Sequence, residues 1–361
     1  MDAMPPSIAS SPVVAVQSSS SRRAVSFWIL LVLGILLGAS ALTNVALSWL
    51  AFRGIRQALY PPSGFQERVL AGNPHSTDKI LDIKLTGAIF DFNTSSLLGG
   101  VQNPVTAVLA QLDAARKDPA VKGILLEINS PGGGITASDI LYHELKRFRV
   151  ERKIPVVVLC QDLTASGGYY VAMAANEVMA HRTSLVGSIG VIAEFGNISE
   201  LMHKIGVKMN VIKSLRADGT ESFKDMGSMF RPMKPVERAM MQRMVQSMWR
   251  RFVTVVATGR AGKLTRAQVE KLADGRIWTG GEALRLGLID GLGYREDAWR
   301  KVQTLAGAPG ARLVAWSRAR GLLTDLVGAH AQPPSLQALF NQTLDPVAGA
   351  TPHMLFLWSV R

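Results

Sequence analysis

Between residues 79 and 180 the chain alternates short apolar runs with segments of helical spacing. Leu81, Ile83 and Leu85 alternate with Asp82, Lys84 and Thr86, the period-two pattern of a half-exposed strand. Asn103-Pro104 then caps a helix that carries Val105, Val108, Leu109 and Leu112 on one face. Val121 to Ile128 and Pro155 to Cys160 are continuous apolar runs and predict buried strands. Helical segments follow each: Thr136 to Phe148, through Ile140, Leu141, Leu145 and Phe148, and Tyr170 to Ala175. Further strands are expected at Glu177–Ala180 and Val207–Lys213, and a long helix from Pro235 to Gly259. In that helix Met241, Met244, Val245, Met248, Phe252 and Val256 form an apolar stripe, expected to pack in the core or against another subunit.

Successive strand–turn–helix units imply parallel strands joined by right-handed crossovers. Parallel strands bring their carboxyl-end turns to one rim of the sheet, where open α/β folds bind ligands. Two such turns carry the candidate chemistry. Asn129-Ser130-Pro131-Gly132-Gly133-Gly134 follows the first buried strand, and Thr164-Ala165-Ser166-Gly167-Gly168-Tyr169-Tyr170 follows the second. A serine hydroxyl where a strand gives way to a helix lies near free backbone N–H groups that favour developing negative charge. The glycines remove side chains that would block a substrate carbonyl. Ser130 precedes proline and is expected to serve as a turn or cap residue.

The hydrophobic pattern changes at the amino end. Phe27 to Phe52 has no charged residue, and the run exceeds the ~20 residues that cross a bilayer. A cleaved signal peptide would need an apolar region of only ~7–15 residues, so a retained anchor over residues 26–52 is the expectation. Arg22 and Arg23 on one side nearly balance Arg53 and Arg56 on the other. Residues 1–25 read as a disordered tail rich in serine and proline, residues 53–78 as a linker and 79–306 as the soluble domain. Residues 307–361 form an extension broken by Pro333, Pro334, Pro346 and Pro352.

Composition narrows the partners. Hydrophobic residues make up 48% of the 361 and charged ones 19%, enough for a packed core. Net charge is +13, but the basic residues are scattered and no stacking aromatics interleave with them. Proximity to anionic lipid is therefore favoured over nucleic acid, which is not expected as a partner. The single cysteine, Cys160, sits inside a predicted strand and reads as a buried inert thiol. No zinc spacing, other metal motif or ATP motif is visible, and no cofactor is expected.

A serine nucleophile needs a base. None of the 6 histidines lies in a recognisable catalytic motif, although spacing alone leaves histidine open. A lysine must be neutral to act, and lowering its pKa from ~10.4 to ~7–8 destabilises the charged form by roughly 3–5 kcal/mol. Composition does not say which lysine does this.

Five motifs, in order, carry a resemblance. Beside the two glycine turns stand Gly187-Ser188-Ile189-Gly190-Val191, Phe223-Lys224-Asp225-Met226, and Ala273-Asp274-Gly275-Arg276-Ile277-Trp278-Thr279-Gly280 with Gly287-Leu288-Ile289-Asp290. From about Lys79 to Gly293 the sequence resembles the short form of SppA-type signal peptide peptidase, a family of membrane-anchored serine–lysine proteases. The resemblance implies a crotonase/Clp-protease-like α/β fold preceded by one transmembrane helix. It also implies Ser166 as nucleophile, Lys224 as general base, Ser188 as the serine that helps orient that lysine, and Gly133 and Gly167 as backbone donors of the oxyanion hole. The implied enzyme is a serine endopeptidase of the bacterial-type inner membrane, single-pass. The resemblance makes the tail of residues 1–25 cytoplasmic and residues 79–306 the peptidase domain, a catalytic domain that is extracytoplasmic. Its substrates would be signal-peptide remnants or other membrane-associated peptides, and it would form a homo-oligomer. The stretch Leu215 to Phe223 is longer than in the short-form pattern. Two rivals remain at this point: an acyl-CoA hydratase or isomerase of the crotonase type, and a membrane scaffold that keeps the fold without the peptidase.

Overall fold

The computed structural model describes residues 31, 33–45, 47–49, 64–91, 103–318 and 354–357. It divides into two units, residues 1–64 and 65–361.

In the first unit, residues 33–45 are helical, and Leu33, Ile35, Leu36, Leu37 and Leu42 are exposed. Among the described residues no helix is long and apolar enough to cross a membrane. The expected tail, residues 1–25, lies outside the described residues, as does most of the expected extension.

The second unit is mixed α/β around a parallel-rich sheet. Along the chain run β1 (Phe65–Ala71), β2 (Lys79–Thr86), α1 (Pro104–Lys117), β3 (Val121–Ser130), β4 (Gly132–Gly134), α2 (Ile135–Arg152) and β5 (Val156–Ala165). There follow α3 (Gly167–Ala172), β6 (Glu177–Ala180), β7 (Leu185–Gly187), β8 (Ile192–Ala193), α4 (Ser199–Lys204) and the long α5 (Pro235–Gly259). The last elements are α6 (Arg266–Leu272), β9 (Ile277–Thr279), α7 (Gly280–Arg285), β10 (Gly291–Leu292), α8 (Arg295–Ala306), β11 (Arg312–Arg318) and β12 (Met354–Leu357).

The main sheet has the order β1-β11-β2-β3-β5-β6-β10, with β7 paired to β5 and β9 to β7. All neighbours from β11 to β10 run parallel; β1–β11 and β7–β9 are antiparallel. Strands buried on both faces explain the unbroken apolar runs of the sequence. Leu81, Ile83, Ile124, Leu126, Val156 and Val158 face a core shared with α1, α2, α3 and α5. Ile80, Leu125, Val157 and Leu159 face the other way, onto Trp299 and Val302 of α8. The Asn103 side chain accepts from Val105 N at 2.9 Å and Thr106 N at 3.3 Å, capping α1 as expected.

Several elements differ from the sequence expectation. Asp82 is not on an exposed face: it is 3% exposed, because Arg295 at the start of α8 reaches over to it. Phe65–Ala71, inside the stretch expected as linker, pairs with Arg312–Arg318 and so joins the sheet. Val207–Lys213 is not a strand; residues 207–212 are exposed, and the segment carries no ladder among the described residues. The triple glycine is a short strand rather than a turn, held in a second sheet of order β4-β12-β8.

Candidate active site

β3 and β5 lie side by side, with Ser130 opposite Thr164, so both glycine segments leave the sheet at one rim. β5 ends at Ala165, and Ser166 takes φ 51° and ψ −115° before α3 starts. That backbone is costly for a residue with a Cβ, of order 1–3 kcal/mol, and it turns the chain sharply enough to lift the hydroxyl off the strand. Ser166 N donates to Gly187 O at 2.7 Å, which fixes the turn from the neighbouring β7. Ser166 is 1% exposed, and its Oγ has no hydrogen-bond partner among the described residues. No histidine therefore bonds it here.

The two glycine segments touch. A Cβ on Gly167 would lie 3.2 Å from Gly133 N and collide with Ser138 Oγ, so only glycine lets the two backbones approach. A Cβ on Gly133 would run into the backbone of Ile89. Ser130 is fully buried and its Oγ accepts from Gly132 N at 3.1 Å, the turn role expected for it. β7 runs in register with β5, Gly187 opposite Ala165, so Ser188 and Ser166 follow a paired couple. Ser188 is also at positive φ, 52°, is 5% exposed, and donates its N–H to Arg276 O at 2.8 Å.

Lys224 is placed differently. It is solvent-exposed, in the long excursion between α4 and α5. The structure thus gathers Ser166, Gly133, Gly167 and Ser188 at one rim and leaves Lys224 outside hydrogen-bond reach of the Ser166 hydroxyl. Its neighbour Asp225 is bound by Arg231 and Lys213, two residues that lie outside every motif of the sequence.

α3 is anchored from beneath. Tyr169 Oη donates to Leu288 O at 2.6 Å, and Tyr170 Oη donates to Asp139; burial pushes both phenols up. The Tyr170 ring meets Phe252 of α5 at 5.1 Å. Cys160 is fully buried in β5, and burial pushes its thiol up to about 12. Among the described residues no group of His, Cys, Asp or Glu could hold a metal ion.

One contact at this rim was invisible in the sequence. β12 lies antiparallel on β4, Leu355 opposite Gly134, Phe356 opposite Gly133 and Leu357 opposite Gly132, and it also pairs with β8. A strand drawn from the far end of the chain therefore occupies the edge beside Ser166. An edge that pairs an extended backbone, beside a buried serine and two glycine backbones, is an arrangement compatible with a hydrolase that acts on peptides.

Comparison with known proteins carries the assignment further. Residues 149–308 match the model for peptidase family S49. The chain is 37% identical over 245 residues to a putative signal peptide peptidase SppA of Enterococcus faecium, covering 68% of each chain. It is 37% identical over 220 residues to Protease 4 of Salmonella typhi, covering 61% of this chain and 33% of that one. A chloroplastic serine protease SPPA of Arabidopsis thaliana is 34% identical over 221 residues, covering 60% of this chain and 31% of that protein. The chain belongs to peptidase family S49 and is a serine peptidase.

Proposed function

We propose that this peptidase is a membrane-anchored endopeptidase that cuts signal-peptide remnants and other membrane-associated peptides with a serine–lysine dyad. The observation that carries the reading is Ser166: strained, buried, with an unpartnered hydroxyl, against Gly133 and Gly167. Ser166 Oγ attacks the scissile carbonyl while neutral Lys224 accepts its proton. The Gly133 and Gly167 N–H groups stabilise the tetrahedral oxyanion; one such donor is worth about 10²–10³ in turnover at comparable sites. Lys224 then returns the proton to the leaving amine, and water, activated in the same way, releases the acyl group. Ser188 orients the lysine. Substrate enters as an extended strand along Gly132–Gly134, the place β12 takes.

The exposed position of Lys224 is met by assembly. Copies associate through the exposed apolar run Ile205, Val207, Met209, Val211, Ile212 and Leu215, and association delivers Lys224 to a serine. The apolar sequence Phe27–Phe52 supports an inner-membrane anchor with the catalytic domain extracytoplasmic, in a crotonase/Clp-like fold class. A serine-directed acylating probe followed by mass spectrometry tests the dyad. The label is expected on Ser166 and is expected to vanish in Lys224→Ala and in Lys224→Arg, since arginine does not give up its proton. Labelling that persists in both lysine variants would remove Lys224 as the base.

A further inference from the structure

Lys224 stands on a long excursion, and an exposed lysine on an irregular segment has no geometry of its own. Its neighbour does. Asp225 is mostly buried: its Oδ2 accepts from Arg231 Nε at 2.7 Å, its backbone carbonyl accepts from Arg231 Nη2 at 3.2 Å, and its Oδ1 accepts from Lys213 Nζ at 3.0 Å. The other edge of the same guanidinium grips Glu237, Nη1 to Oε2 at 2.8 Å and Nη2 to Oε1 at 2.6 Å.

Glu237 is the fixed end. It is 1% exposed in the first turn of α5, and its Oε2 also accepts from Lys234 N at 2.9 Å. α5 is in turn bound to the body that carries the nucleophile. Phe252, Val253, Val255 and Val256 are buried in the main core, and Phe252 meets Tyr170, four residues beyond Ser166, at 5.1 Å. Rigid contacts thus run from the Ser166 helix through α5 and Glu237 to Arg231, and from there to both the side chain and the backbone of the residue bonded to Lys224.

We infer that Arg231 is the positioning residue for Lys224, clamping its backbone to the N-terminus of α5 so that the amine is presented in one place. The inference rests on the reading of Lys224 as the base. The clamp holds the main chain, so it serves whether the amine meets the serine of its own chain or that of a second copy. Arginine is required because one planar group must satisfy two carboxylates and two carbonyls, of Asp225 and Pro232, at once. Lysine at 231 keeps the charge and loses the fork. The bland alternative is a loop latch that stabilises the domain without touching catalysis.

The test compares Arg231→Lys, Asp225→Asn and Lys224→Ala in the full chain, each checked for thermal melting. The readouts are kcat and KM on one extended peptide, the pH profile of kcat/KM, and hydrogen exchange over residues 213–230. Displacing a reacting group by about 1 Å costs on the order of 100-fold. Arg231→Lys is therefore expected to lose roughly 10- to 100-fold in kcat with KM nearly unchanged. Its pH profile should shift, and its 222–230 amides should exchange faster while melting stays close to the parent. Asp225→Asn, which keeps the shape and weakens the grip, should fall between, and it carries the test if Arg231→Lys does not fold. Faster exchange with parental kcat and pH profile would overturn the clamp and leave a latch. If Lys224→Ala itself keeps activity, the base reading fails first. If Lys224→Ala is dead while Arg231→Lys and Asp225→Asn are normal, only the clamp fails.

Discussion

Ser166 combines two unfavourable features, and a pair of substitutions separates them. Its hydroxyl is buried without a partner, a condition that costs about 1–3 kcal/mol. Its backbone at φ 51° and ψ −115° costs a further 1–3 kcal/mol or so. Ser166→Ala removes the first and keeps the second. It is expected to raise folding stability by about 1 kcal/mol or more, which for a domain of this size is roughly 2–4 °C in Tm per kcal/mol. Ser166→Gly also relieves the backbone, set against a loss of about 0.5–1 kcal/mol for the extra freedom glycine gains when unfolded. It should equal the alanine variant or exceed it by up to about 2 kcal/mol. Both variants should lose catalysis, on the order of 10⁶-fold in comparable serine enzymes. Guanidinium denaturation read by tryptophan fluorescence, alongside peptide cleavage, measures the two effects on the same samples. A Ser166→Ala protein that melts several degrees lower would refute the reasoning, because the hydroxyl must then be bonded in the folded enzyme. A variant that still cleaves would refute the nucleophile.

Other expectations test the frame around the site. Arg260 is 2% exposed and donates to both oxygens of Asp290, at 2.9 and 2.7 Å, and to Gly287 O at 2.9 Å. Arg260→Met should cost about 3 kcal/mol in urea unfolding, the low end for a broken buried pair because Lys263 stays beside Asp290. Asp82 is pushed up to about 6, by burial first and then by Glu127, against the pull of Arg295. A carboxyl raised in the folded state stabilises below its unfolded pKa, and that stability is lost as pH rises through the folded value. Unfolding free energy should therefore fall by about 2 kcal/mol between pH 4 and 6 from this group, and Asp82→Asn should flatten that limb. Deleting residues 319–361 removes β12 from the edge beside Gly132–Gly134. KM for an extended peptide should drop at least about fivefold, the worth of one net backbone hydrogen bond near 1 kcal/mol, with kcat retained. An unchanged KM would mean that β12 and substrate do not share the edge.

What the sequence disclosed follows the range of the forces involved. The apolar runs 121–128 and 155–160 became β3 and β5, because a strand buried on both faces is marked by local composition alone. Asn103 and Pro104 marked the start of α1 because capping acts within three residues. The triple glycine was misleading for the opposite reason. Glycine has low strand propensity, and what makes residues 132–134 a strand is pairing with residues 355–357 and a bridge to Ile89. Val207–Lys213 failed in reverse: its alternation suits a strand, but no described strand pairs with it. Asp82 alternates like an exposed residue, and the sequence pattern hides its burial because its cover, Arg295, lies on an element more than two hundred residues away. The stripe on α5 packs into the core at Phe252 and Val256, both buried, while Met244 of the same stripe is 43% exposed.

The same distinction separates the two halves of the proposed dyad. Ser166 sits where a parallel strand meets a glycine-bounded helix, a junction whose strain, burial and neighbours are all set by the rim of one sheet. Lys224 belongs to no strand or helix, and the short apolar and polar residues around it state nothing about where its amine goes. Position must then be imposed by contacts of the adjoining residue, and the group there that ties Asp225 to α5 is the Arg231 guanidinium between Asp225 and Glu237. In the proposed dyad, a base held in this way stays exposed until it is brought to the serine. The buried hydroxyl, for its part, stays unbonded until the base arrives. Such an enzyme keeps its nucleophile idle in the isolated chain, and activity should therefore rise more steeply than linearly with protein concentration in dilute solution. Cleavage strictly proportional to concentration down to a verified monomer would show that one chain assembles the dyad alone.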